Sequence, residues 1–457
     1  MPDTSHPSET TECDLLVAGS GAAGLSAAIT AAYAGLKVIV IEKEPVLGGA
    51  TARSGGGLWI PGNSLAQEAG IRDTRESALT YIKHLTGPRF DARKVEAFLD
   101  TGPQMVQFME RNTAVRFDFY PGYPDYYPDE PGGVASGRAI FARPFDGARL
   151  GAMLGRLRPT LATSTFAGIQ IGVDDLGYFM TAGRSVRSAF RVARRMLRFG
   201  VDWLRARRTL RLTGGNALVG ALLASAAERG VQIFTDTPAV SLIESNGRIA
   251  GAITHAHGTH RIMARGGVVL ATGGFPHDSE LRARLFPAGA ANNSVWGAMP
   301  FGNSGDGIRL GRAVGGHLNE DVSCPIAMTP MMRLNLAEGQ LATFPVFLNR
   351  GSPGFLSVTR DGKRFVNEAR SYHEYGLKLV AATLGEPEPA AWMIGDRRAV
   401  RRFGLGYAFP FPLSLRRHLR AGHLKTGSTL AELAQRTGIH AANLERTVEK
   451  FNRDALA

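Results

Sequence analysis

Short, mainly apolar runs recur through this chain, separated by stretches with helical spacing. Asp14 to Ala18, Val38 to Ile41, Val231 to Phe234, Ala239 to Ile243 and the start of Val268 to Gly274 are such runs, with Asp14, Gln232 and Ser241 as polar members. Apolar residues without alternation predict strands covered on both faces, as in a parallel sheet. Leu25 to Gly35 and Gly214 to Gly230 read as helices between them, and Asn246-Gly247 is a hairpin turn signal. Alternating strands and helices place the chain in the α/β class. A further helix is predicted over Leu444 to Asp454. The strongest helical period falls in Arg184 to Arg211, where Val186, Phe190, Ala193, Leu197, Val201 and Leu204 recur every three or four residues. The segment carries ten arginines and one acidic residue, Asp202. Such a helix is expected to pack its apolar face and solvate its basic one; the sharper alternative is contact with a membrane surface or an acidic partner.

At 457 residues the chain exceeds what one core usually serves, so two domains are expected. The 44% hydrophobic and 20% charged content belongs to an ordinary globular protein. Glycine, at 56 residues, is about twice its usual share and is clustered, which suggests tight turns around a ligand. Cys13 and Cys324 are far apart and form neither a disulfide framework nor a metal-ligand spacing. A polar, acidic N-terminus and the lack of a long apolar run lead to the expectation of a cytoplasmic protein. The net charge of +13 admits anionic partners, but no nucleic-acid motif accompanies it.

Candidate chemistry begins directly after the first apolar run. Gly19, Ser20, Gly21, Ala22, Ala23 and Gly24 form a G-x-G-x-x-G between a predicted strand and a predicted helix, and Glu42 ends the next strand 18 residues after Gly24. Glycines there allow a tight turn and close backbone approach to a pyrophosphate at a helix N-terminus, while the carboxylate receives a ribose hydroxyl pair. A glycine turn with no ligand is the plain alternative. The ordered strand, turn, helix, strand and acid favour the dinucleotide. Gly49, Ala50, Thr51, Ser54, Gly55, Gly56 and Gly57 follow at once, where an NAD fold would usually enter another helix. This second glycine- and hydroxyl-rich run suits the longer FAD, with Thr51 and Ser54 as donors. Ala271, Thr272, Gly273 and Gly274 end a later buried strand of the kind that returns to the cofactor.

These stretches, together with EKEPVLGGATARSGGGLWIPGN, PDYYPDEPGG, LTGGNALVGAL, GNSGDGIRLG and DGKRFVNEARSYHEYG, resemble the fumarate reductase/succinate dehydrogenase flavoprotein superfamily and, within it, the 3-ketosteroid dehydrogenases. The resemblance implies a Rossmann-type FAD-binding domain with an inserted α+β capping domain. It would divide the chain into 1–275, 276–426 and a return segment 427–457 whose remainder is absent. It adds Lys43, Ala239 and Asp306 to the FAD contacts. It also bears on the substrate. Fumarate reductases carry an arginine four residues after the glutamate of their RF-x-N/E-E motif; here Glu368 is followed by Tyr372. Their dicarboxylate-gripping His-Pro pair is replaced by Ser323-Cys324-Pro325-Ile326. Tyr372 resembles the proton acceptor of the ketosteroid enzymes, and Tyr126, in Asp125-Tyr126-Tyr127-Pro128-Asp129, resembles their second active-site tyrosine.

The implied reaction is insertion of a C=C bond beside a 3-keto group, with hydride to flavin N5 and a proton to tyrosine. A tyrosine of pKa about 10 is a poor base unless its phenolate is stabilised, which a second hydroxyl can do. An apolar cleft for a steroid-like molecule and non-covalent FAD complete this expectation. The alternatives are a fumarate-reductase-like reductase of another conjugated acid or ketone, and a truncated flavin-binding remnant without turnover. His317 and His373 are expected to be structural, and no metal is implied.

Overall fold

The computed structural model describes residues 10–256, 258–291, 297–335, 341–347, 349–410 and 413–456. It has two compact units, one made of 1–174, 198–279 and 299–322, the other of 175–197, 280–298 and 323–457.

In the first unit Thr10–Cys13 (β1) and Leu15–Ala18 (β2) lead into helix Ala22–Tyr33 (α1) and strand Val38–Ile41 (β3). Helix Gly214–Glu228 (α2) precedes Gln232–Phe234 (β4), Ala239–Ser245 (β5), Arg248–His255 (β6), Thr259–Ala264 (β7) and Val268–Leu270 (β8). Helix Asp306–Ala313 (α3) closes the unit's cleft-forming elements. The strands β4, β3, β2 and β8 form a parallel sheet in that order, with Leu15 opposite Val38 and Ala18 opposite Ile41.

The unbroken apolar runs of β2 and β3 have a direct cause. Val17, Val38 and Val40 join Leu25, Ala28 and Ile29 of α1 and Val219 and Leu222 of α2 in one core. The alternate residues Leu16, Ala18, Ile39 and Ile41 join Phe234, Ala252, Ile262 and Ala264 in another. Successive side chains leave a strand on opposite faces, so a sheet covered twice needs apolar residues at every position. The second cover is the sheet β1-β7-β6-β5, antiparallel except for the β1–β7 pair. Asn246 and Gly247, at φ 51° and 70°, make the tight β5–β6 turn that their identities predict.

In the second unit Phe355–Val358 (β9) pairs antiparallel with Trp392–Gly395 (β10), and helix Tyr372–Ala382 (α4) lies between them in the chain. Helices Leu430–Thr437 (α5) and Ala441–Asp454 (α6) contribute Ala434 and Leu444 to a core with Leu356 and Val358. The predicted helix at Leu444 to Asp454 thus packs on the β9–β10 pair.

The arginine-rich segment folds as helix Val186–Ala206, but its orientation reverses the expected one. Ser188, Arg195 and Asp202, spaced by seven, are buried, while Val186, Phe190, Leu197 and Leu204 are 89%, 72%, 74% and 78% exposed. Specific polar contacts hold the inner face. Ser188 Oγ lies 2.8 Å from Thr181 Oγ1, Arg195 Nε is 2.9 Å from Asp175 Oδ2, and Asp202 accepts the Leu210 N–H at 3.0 Å. Period reveals that a helix is amphipathic; it does not say which face is covered. No helix among the described residues is long and apolar enough to cross a membrane.

Candidate cofactor cleft and active site

The predicted glycine turn leaves β2 and enters α1 with its neighbours in very close approach. Gly19 has φ +113°, and a Cβ there would lie 2.2 Å from the carbonyl oxygen of Ala271, at the end of β8. A Cβ on Gly24 would lie 1.9 Å from the Gly19 carbonyl oxygen, so the third glycine lets α1 settle against the turn. Gly21 caps α1 and has no side chain to cover its N-terminal amides. One of them, Ala22 N–H, donates to Thr51 Oγ1 at 3.1 Å.

A cleft of about 250 Å³ opens over this turn. Its lining brings together Gly19, Ser20, Gly21, Ala22, Ala23, Glu42, Lys43, Gly49, Ala50, Thr51, Ala239, Ala271, Thr272, Gly273 and Asp306, drawn from positions up to 287 residues apart. Glu42 is buried at the end of β3, and its Oε2 accepts from Ser20 N at 3.1 Å and Ser20 Oγ at 2.6 Å. Lys43 donates to Ser304 Oγ at 2.9 Å and pairs with the Asp306 carboxylate at the start of α3. Gly307 N–H donates to Thr272 Oγ1 at 2.9 Å, which ties α3 to the end of β8.

The other predicted contacts lie outside this lining. Gly24 is beneath the turn, and Gly274 follows the last lining residue of its segment. Ser54 accepts the Gly56 N–H at 3.1 Å, and its carbonyl accepts the Gly215 N–H at 2.9 Å. A Cβ on Gly56 would meet Gly214 at 2.4 Å, and one on Gly57 would meet the Phe141 ring at 2.8 Å. Ser54, Gly55 and Gly56 therefore form the contact between the second glycine run and the start of α2, while Gly57 lies against Phe141.

Residues that the sequence did not single out also reach the cleft, among them Glu44, Arg158, Thr237 and Asn303. Arg158 is buried and paired with Glu44. Burial, followed by the nearby Arg158 guanidinium, holds the Arg53 pKa below its ordinary value. Such clustering of cations is invisible locally, because Arg158 lies 114 residues from its Glu44 partner. A glycine floor, a helix N-terminus, a buried acid and a nearby cation together fit a dinucleotide's phosphates and ribose.

Tyr126 sits in the first unit on a loop fixed at both neighbours, and is 58% exposed. Asp125 accepts from Trp59 Nε1 at 2.7 Å and from Arg138 at 2.8 Å, while Tyr127 N–H donates to Tyr81 Oη at 3.2 Å. Arg138, 1% exposed, also forks onto Asp73 at 2.8 and 3.0 Å. Tyr372, in the second unit, is the first residue of α4, and its ring meets Phe347 edge-on at 5.2 Å. Just before it, the buried Glu368 accepts the Ser357 N–H of β9 at 2.6 Å and pairs with Arg364. Ser371 caps α4 by accepting the Glu374 N–H at 3.1 Å. His373 Nδ1 accepts the Met328 N–H at 3.1 Å, and burial lowers its pKa.

The FAD binding domain family model matches residues 14–457, and the chain belongs to that family. It is an FAD-dependent oxidoreductase. A 4-oxocyclohex-2-ene-1-carboxylate 5-dehydrogenase of Sinomonas cyclohexanicum is 39% identical, over 100% of this chain and 77% of that protein. A 3-oxosteroid 1-dehydrogenase of Mycobacterium tuberculosis is 34% identical, over 96% and 78%. The crystal structure of 3-ketosteroid delta1-dehydrogenase from Sterolibacterium denitrificans, in complex with 1,4-androstadiene-3,17-dione, superimposes with a TM-score of 0.83. That match has 30% identity and covers 96% of this chain and 78% of the other. These relatives bear out the resemblance to the ketosteroid branch of the flavoprotein superfamily.

Proposed function

We propose that this chain introduces a carbon–carbon double bond beside the carbonyl of a cyclic ketone, with a 3-ketosteroid as the first substrate class. The observation that carries the reading is Tyr372 at the start of α4, four residues after a buried Glu368, where a dicarboxylate reductase would have arginine. In this reading residues 1–275 form the Rossmann-type FAD domain, 276–426 the α+β capping domain, and 427–457 begin the return to the FAD domain.

Gly19 to Ala23 and the N-terminus of α1 would take the pyrophosphate, Glu42 the ribose hydroxyls, and Arg158 would offset phosphate charge. FAD, held without a covalent bond, supplies the two-electron acceptor. In this reading Tyr372 takes the proton made acidic by the neighbouring carbonyl and ends as the neutral phenol, and Tyr126 is the candidate second hydroxyl that would stabilise the phenolate before the transfer. Phe347 against the Tyr372 ring gives the base an apolar flank suited to a hydrophobic ketone.

A second reading keeps the chemistry and changes the substrate. The 39% identical relative acts on a small alicyclic keto acid, so 4-oxocyclohexanecarboxylate-type substrates compete with steroids for the assignment. Anaerobic titration of the FAD-loaded protein with each class, watching flavin absorbance, tests both. Bleaching by a 3-ketosteroid supports the first reading, and bleaching by the keto acid alone supports the second. An unchanged spectrum with both, while FAD stays bound, overturns the proposal.

A further inference from the structure

The reversed helix Val186–Ala206 is a 21-residue rod, about 30 Å long, whose apolar stripe lies in solvent. Val186, Phe190, Leu197, Val201 and Leu204 share that stripe, and Met196 and Trp203, each 47% exposed, flank it on one side. On the other side Arg187, Arg194, Arg198 and Arg205 are exposed, spaced so that they form a row along the rod. The acidic groups near the helix do not offset that row at its surface. Asp202 is buried and accepts the Leu210 N–H, and Asp175 is buried beneath Arg191 and Arg195.

The helix therefore presents bulky apolar side chains beside a row of arginines. We propose that it is a docking surface for an anionic lipid bilayer. Lying in the interface plane, it would sink Phe190, Leu197 and Leu204 into the headgroup–acyl boundary while the arginines meet lipid phosphates. Charge complementarity selects this occupant. Two copies packed through the stripe would bring arginine rows into proximity, and a nucleic acid would leave the apolar stripe in water. Anchoring here needs no spanning segment, in keeping with the described helices.

The test is co-sedimentation of the FAD-loaded full chain with vesicles of phosphatidylcholine alone, or of phosphatidylcholine and phosphatidylglycerol in equal parts. The expected result is sedimentation with the anionic vesicles at low salt and partial release at high salt. The combined substitution Phe190→Ser, Leu197→Ser and Leu204→Ser is expected to weaken binding by about tenfold or more. Arg187→Ser and Arg194→Ser are each expected to weaken it roughly fivefold. These exposed arginine variants keep the test decisive if the triple variant folds poorly, and flavin absorbance and melting temperature serve as the folding control. Protein that stays in the supernatant with anionic vesicles at low salt overturns the proposal. So does unchanged binding by the variants. A wild-type dimer that becomes monomeric in the triple variant, with no vesicle binding by either, assigns the stripe to a second copy instead.

Discussion

The candidate cofactor cleft in the first unit and the first turn of α4 in the second are built by opposite means. The cleft is floored by backbone, and at Gly19 and Gly24 even a methyl group would overlap a carbonyl oxygen. Tyr372 is a side chain offered by a helix whose entry is fixed by other side chains: Ser371 at the cap, Glu368 on β9 and Phe347 at the ring. Backbone sites tolerate almost no change in shape. Side-chain sites tolerate changes of shape better than changes of chemistry. Cofactor retention and turnover should therefore separate under mutation.

The largest effect falls on the backbone side. Gly19→Val combines a φ of +113° with a Cβ 2.2 Å from Ala271 O, so β2, β8 and α1 cannot keep their spacing. The purified variant is expected to carry almost no FAD, read as the ratio of flavin to protein absorbance. Normal FAD content would show that the turn is not the cofactor's floor. Next comes Tyr372→Phe, which keeps the ring against Phe347 and removes only the hydroxyl. Turnover of a bleaching substrate is expected to fall by roughly 10²–10⁴-fold, with FAD content unchanged. Loss of FAD in this variant would erase the contrast between the two regions, and undiminished turnover would remove Tyr372 as the base.

What could be read from the sequence follows the same contrast. The residues from Gly19 to Thr51 are nearly contiguous, and each has a local geometric reason, so strand, turn, helix and acid were legible in order. Ser54 and the three glycines after it read like cofactor contacts, yet they meet Gly214, Gly215 and Phe141. A glycine run announces close approach without naming what approaches. Arg158 and Asn303 were illegible because their neighbours are distant in the chain. The arginine-rich helix was legible in its period and not in its direction. Burial of Ser188, Arg195 and Asp202 depends on partners such as Asp175 and Leu210, which no apolar stripe encodes.

The loop bearing Tyr126 extends the side-chain mode of construction into the first unit. Arg138→Met would strand two buried carboxylates, those of Asp73 and Asp125, whose side chains are 4% and 2% exposed. Removing one partner of such a network costs about 3–5 kcal/mol, measurable by denaturant unfolding. An unfolding free energy equal to that of the unchanged protein would mean that Arg138 does not hold these two carboxylates.

Glu368→Gln is the smallest and most discriminating change. The amide keeps the carboxylate's size and can still accept the Ser357 N–H, but it loses the charge that pairs with Arg364. A weakened charge-assisted contact of this kind costs about 1–3 kcal/mol. If Glu368 sets the entry to α4, kcat should fall by roughly tenfold while FAD content and KM hold, because Tyr372 is displaced and the cleft is untouched. If the contact serves stability alone, the melting temperature should drop with kcat unchanged at low temperature. The split between those two readouts decides whether α4 is aimed by the residue four positions before its tyrosine or merely held in place by it.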